Sequence, residues 1–130
     1  MQTSIEIITA IAMLIVGVSH VTQPRAWVEF FTIAREKGHA GVIAVGMLHL
    51  PTAMVIVATH RIWHGVPIIV TLLGFAWLLK AALYMTMPSI GMKSLQRVSI
   101  ARRHEFVWAG LVLIALAVVI ATLAGIARPS

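Results

Sequence analysis

Four long, almost uncharged apolar stretches occupy most of this 130-residue chain, and they dictate its solvent before any other feature is considered. A bilayer core about 30 Å thick is crossed by about 20 helical residues. The sequence predicts such spans over residues 5–23, 39–60, 64–87 and 104–127. In lipid every backbone N–H and C=O must find its partner inside the segment, so these stretches are expected to be helices. The fold class expected is all-α: an integral membrane four-helix bundle forming a single membrane domain. Only 11% of the residues are charged, against about 25% in an ordinary soluble domain, which excludes a water-soluble fold.

The chain has no cysteine, which removes disulfides, thiolate metal sites and thiol redox chemistry. The formal net charge of +6 belongs with topology and anionic headgroups, not with nucleic acid. Met1 to Glu6 lacks the basic region of a signal peptide, so the first span is expected to remain. Gln2 and the absence of cysteine leave no lipid attachment signal, and anchoring falls to the helices.

Lys and Arg counts set the orientation. Arg25, Arg35 and Lys37 lie in the first connection and Lys93, Arg97, Arg102 and Arg103 in the third, against Arg61 in the second and Arg128 at the C-terminus. The rule that basic loops stay inside predicts a bacterial-type inner membrane protein with both termini outside and the first and third loops cytoplasmic.

A repeat is faintly visible. A shift of 64 positions superposes Pro24 on Pro88, Gly46 on Gly110 and Ala53 on Ala117. The unit is a span, a basic segment and a second span, giving two hairpin repeats in the same orientation. The first basic segment reads as an amphipathic interfacial helix over residues 25–37, with Arg25, Glu29, Thr32 and Glu36 on one side and Trp27, Phe30, Phe31 and Ala34 on the other. Pro24 suits its first turn and Gly38 its end. The third connection, with Met92, Leu95 and Val98 among Lys93, Gln96 and Arg97, reads as a weaker copy.

Helices in lipid associate through small residues. Gly110, Ala117, Ala121, Ala124 and Gly125 form such a stripe on the last span, Thr71, Gly74, Ala81 and Ala82 on the third, and Gly46 and Ala53 on the second. On the first span Glu6, Thr9, Met13, Gly17 and His20 share one side, which is expected to face inward.

Among the polar residues, His49 is the leading functional candidate. It sits near mid-span, two positions before Pro51, and an ionisable group beside a helix break is how transport paths are built. With Thr52 and Thr71 it forms a candidate proton or solute path. Glu6, His60 and His64 gather at the outer end, and His20, His39, His104 and Glu105 at the inner end. Either set is a candidate metal site, although equal depth does not establish lateral proximity. Trp27, Lys80 and Tyr84 read as lipid-facing anchors, with Lys80 snorkelling to the surface. No carboxylate pair or nucleophile with its base shares a predicted cavity, so an enzyme is not expected. No cofactor motif appears, and the sequence leaves a metal ion or haem open.

The plan of four spans in about 130 residues, with Gly17, His20 and Pro24 closing the first, loosely resembles the DoxX-like membrane proteins. That resemblance covers the first third of the chain and implies association with redox-linked membrane complexes. Small multidrug transporters are similar in size, but their essential glutamate lies deep in the first span, whereas Glu6 is near its start. The reading that follows is an accessory or assembly subunit of a larger membrane complex, its partners being lipid and other subunits or copies of itself. The alternatives are an oligomeric carrier or channel for protons, metal ions or a small solute using His49, and a redox subunit holding haem or quinone.

Overall fold

The computed structural model describes residues 2–126, the side chain of Ile126 excepted; Arg128 and the predicted last-span residue Ala127 lie outside them. The described residues form six α-helices: α1 (Gln2–Thr22), α2 (Pro24–Glu36), α3 (His39–Thr59), α4 (Ile68–Thr86), α5 (Pro88–Gln96) and α6 (His104–Ile126), with a short 3-10 turn at Ile100–Arg102. Helices α1, α3, α4 and α6 are each long and apolar enough to cross a membrane. Their outer surfaces agree, because Ile8, Ile15, Leu48, Leu79 and Trp108 are all more than 60% exposed. A surface of that kind suits lipid and not water.

Three of the four spans begin and end within about three residues of the sequence prediction. The third opens later than expected, at Ile68 and not at residue 64, because Gly65 turns the backbone to φ +64° and Pro67 caps the helix. Pro24 and Pro88 each occupy the first turn of a short helix, where the missing N–H costs nothing. Gly38 separates α2 from α3 at φ 66°, ψ −144°, a region that side-chain-bearing residues avoid. A Cβ there would meet nothing within 4 Å, so the strain in Gly38→Ala is purely backbone. The expected loss is about 1–3 kcal/mol, measurable as a lower unfolding midpoint in a detergent titration followed by circular dichroism.

The spans pair as α1 with α6 and α3 with α4, while α1 and α3 barely touch. Small residues cause this pairing. A Cβ on Gly110 would lie 2.6 Å from the Gly17 carbonyl oxygen, 2.8 Å from His20 Cβ and 2.9 Å from Val21 Cγ2. A Cβ on Gly46 would lie 3.2 Å from the Ala81 oxygen, 3.1 Å from Tyr84 Cβ and 2.9 Å from Met85 Cγ. Every residue in the second set is offset by 64 positions from its counterpart in the first. Other positions obey the same offset: Ile56 and Ile120 are buried, as are Ala53 and Ala117, and the Phe31–Phe106 stack at 5.7 Å corresponds to Leu95 packed with Val42. Each three-helix unit thus closes its last span on the first span of the other unit.

The expected inward side of α1 is buried at Glu6, Thr9, Met13 and Gly17. On α6 the stripe is corrected. Gly110, Ala117 and Ala124 are buried with Ile120, but Ala121 and Gly125 are exposed, because the α1 contact follows a row that passes through Ile120. On α4, Thr71, Gly74 and Ala81 are buried and Ala82 is exposed.

Candidate functional site

Two polar arrangements lie at different depths. At the end opposite the basic connections, Glu6 on α1, His60 at the C-cap of α3 and Thr71 on α4 form a chain that is 0–2% exposed. His60 Nε2 is 3.1 Å from Glu6 Oε1, and its Nδ1 is 2.9 Å from Thr71 Oγ1. The Thr71 hydroxyl donates to the Ile62 carbonyl at 2.9 Å. That use of its one proton decides the rest: Thr71 can only accept from His60, so Nδ1 carries a hydrogen. One further proton then lies between Nε2 and Glu6, on one atom or the other.

The sequence brought Glu6 and His60 to one end, and the structure joins them. His64, the expected third member, is exposed, and Thr71 belongs to His60 and not to His49. The α3 helix ends at Thr59 and the backbone is already extended at His60, so His64 does not share a helical face with it. The inner-end set does not assemble. His39 and His104 are exposed, Glu105 pairs with Arg102 at 2.6 Å, and His20 turns elsewhere. No group of three His, Cys, Asp or Glu side chains placed for a metal ion occurs among the described residues.

The second arrangement is a cavity of about 700 Å³ between the two helix pairs, in the half nearer the basic connections, within the size range of small-molecule sites. Its mouth lies where α1 and α3 leave a gap, and α2 covers its end with Trp27, Phe30 and Phe31. Leu48 and Thr52 on its rim are exposed and Trp77 is half-buried. Polar groups converge at one place inside. His49 Nδ1 donates to the Val45 carbonyl at 2.8 Å, which leaves Nε2 as an acceptor, and Lys80 Nζ stands 3.4 Å from it. His20 is tied the same way, Nδ1 to the Val16 carbonyl at 2.8 Å. Its ring stacks on Trp27 at 4.1 Å, and Trp27 Nε1 donates to Ser19.

The three expected lipid anchors are therefore corrected. Lys80 is half-buried in the cavity, with Nζ 5.4 Å from the centre of the Tyr84 ring, and does not snorkel outward. Trp27 lines the cavity, and Tyr84 is buried against Val42 and Gly91. The reason is α4's rotation: Gly74 and Ala81 must face α3, and that sets Lys80 toward the gap between pairs.

Lys80 reads from the sequence as a lipid-facing anchor and not as a partner of His49, yet the 64-residue offset singles it out. Lys80 corresponds to Val16 and His49 to Leu113, and all four line the cavity. A near-symmetric frame thus carries a cation and an imidazole where its other half carries apolar side chains. The group facing His49 Nε2 is an ammonium, and a second imidazole, that of His20, lines the same cavity. Compared with family models, curated proteins and solved structures, the chain matches none.

Proposed function

We propose that this is a four-span membrane protein without catalytic turnover that binds and carries an amphipathic small molecule in the cleft between its two helix pairs. The observation that supports this is Lys80. Its ammonium lies in a largely apolar cavity with no carboxylate of the described residues within ion-pair distance, and a buried cation without a counter-charge is costly. A ligand with an acidic or hydrogen-bond-accepting head would satisfy it, with His49 beside it and an apolar body against Trp27, Phe30 and Trp77. The gap between α1 and α3 offers entry from the lipid. The excess of Lys and Arg in the first and third connections supports a basic end in the cytoplasm of a bacterial-type inner membrane, with both termini outside.

The test is native mass spectrometry of the protein released from lipid nanodiscs. The wild type is expected to retain a small molecule or lipid of fixed mass, and Lys80→Met to lose it. Removing one charge-assisted bond of about 1.5–3 kcal/mol corresponds to about 10- to 100-fold weaker binding. His49→Leu should weaken retention less. Equal retention by wild type and Lys80→Met, with unchanged circular dichroism, would refute the reading.

The accessory-subunit reading draws on small-residue faces for partner contact. Most of these are used within the chain, where Gly17, Gly46, Gly74 and Gly110 all close on their own neighbours. What remains outward is Ala82 on α4 and, one turn apart on α6, the pair Ala121 and Gly125. That pair is the surface on which a partner helix would be sought.

A further inference from the structure

We infer that Glu6, His60 and Thr71 form a one-proton latch that holds the two helix pairs together at the end opposite the cavity. Three observations carry it. The chain runs from α1 through the end of α3 to α4, and so ties the α1/α6 pair to the α3/α4 pair where α1 and α3 otherwise scarcely meet. It is sealed, with His60 and Thr71 0% exposed and Glu6 2%. Finally, its bonds fix its proton count. Thr71 gives its hydrogen to the Ile62 carbonyl, so His60 Nδ1 must donate to Thr71 and a single proton is left for the Nε2 to Oε1 contact.

With that proton present the pair is neutral overall, whether written as acid and imidazole or as carboxylate and imidazolium. Without it, a carboxylate faces an imidazole lone pair at 3.1 Å, and the site holds an uncompensated buried negative charge. Among the described residues nothing nearby neutralises it. Val66 and Pro67 of the loop and Ile120, Leu123 and Ala124 of α6, which line a small cavity together with Glu6, are not titratable, and α4 presents Thr71. The remaining titratable groups of the α3–α4 connection, Arg61 and His64, are exposed, and Arg61 is turned back to the Val57 carbonyl. Loss of the proton is relieved only by water, and water enters only if the pairs part. Between latch and cavity lie Ala10, Met13, Ile56, Val70, Ala117 and Ile120, an apolar plug with no polar tie of its own across the pairs. Deprotonation thus opens the closed end. The latch is inferred from geometry at that end alone and stands whether or not the cavity binds a solute.

A chain without cysteine allows a direct test. Thr9→Cys places one thiol at a 4% exposed position on α1, one turn inward of Glu6. Its rate of modification by a charged, membrane-impermeant thiosulfonate is measured in nanodiscs from neutral to alkaline pH, in the natural background and with Glu6→Gln added. A glutamine side chain can donate to Nε2 permanently and has no proton to lose. Dividing the two rates cancels the ionisation of the thiol itself. The ratio is expected to rise by about tenfold or more with pH as the open state becomes populated. A ratio independent of pH would overturn the latch, as would rapid labelling of both proteins at neutral pH. Thr71→Val with Thr9→Cys gives a second readout. It removes the acceptor for Nδ1, so labelling should be fast already at neutral pH, and wild-type protection there would equally overturn the proposal.

Discussion

Gly110→Leu is expected to abolish the compact fold, with α6 unable to close on α1 and the purified protein running as a larger, heterogeneous species in detergent. The reason is the identity of the nearest atom. A side chain at Gly110 would start 2.6 Å from a backbone carbonyl oxygen, that of Gly17, and a backbone atom in a helix cannot step aside. Overpacking a core by extra methylenes costs about 1–3 kcal/mol when side chains can yield; here even Gly110→Ala should reach the upper part of that range. The pseudo-equivalent Gly46→Ala provides the control. Its closest neighbour is Met85 Cγ at 2.9 Å, on a flexible thioether chain that can rotate away, so the cost should fall near the lower end. Unfolding of the two alanine variants in parallel detergent titrations checks the difference. Equal midpoints would show that the α1/α6 and α3/α4 contacts are softer than these distances imply.

The contrast between those glycines also shows what could be read in advance. Span length and apolarity placed α1, α3 and α6 well, because backbone hydrogen bonding in lipid leaves a long apolar segment only one conformation. Pro24, Gly38 and Pro88 marked helix boundaries through local backbone chemistry alone. The rotation of each helix was harder. At Lys80 and Tyr84 the sequence pattern is compatible with an interfacial belt, and only the close approach of Gly74 to Ile56 and of Gly46 to Tyr84 turns that side of α4 inward. The partner of His60 was half legible. Glu6 and His60 fall at one end by counting residues along their spans, but Thr71 lies 11 positions beyond His60 across a glycine turn, and no periodicity links the two. His49 is legible as polar and central in its span, but its neighbour Lys80 is not, because α3 and α4 lie side by side and bring residues 31 positions apart to the same depth.

The second large effect is expected at His60, where the informative quantity is an interaction and not a single loss. His60→Leu leaves Glu6 buried among Val66, Pro67, Ile120 and Leu123 without its base, and leaves Thr71 without its donor. Removing one member of a buried ionisable pair costs about 3–5 kcal/mol, most of it the penalty of the stranded partner. If that is the origin, removing the stranded group should return much of the loss, so Glu6→Leu combined with His60→Leu should be more stable than His60→Leu alone. Glu6→Leu by itself should cost less than His60→Leu, since a neutral imidazole keeps its bond to Thr71 while a lone carboxylate keeps nothing. The four proteins form a cycle whose coupling, read from unfolding midpoints in detergent, is expected to exceed the sum of the two side chains' packing losses. Additive single losses would mean that Glu6 and His60 are buried separately and merely adjacent. A strong coupling would establish them as one unit spanning both helix pairs.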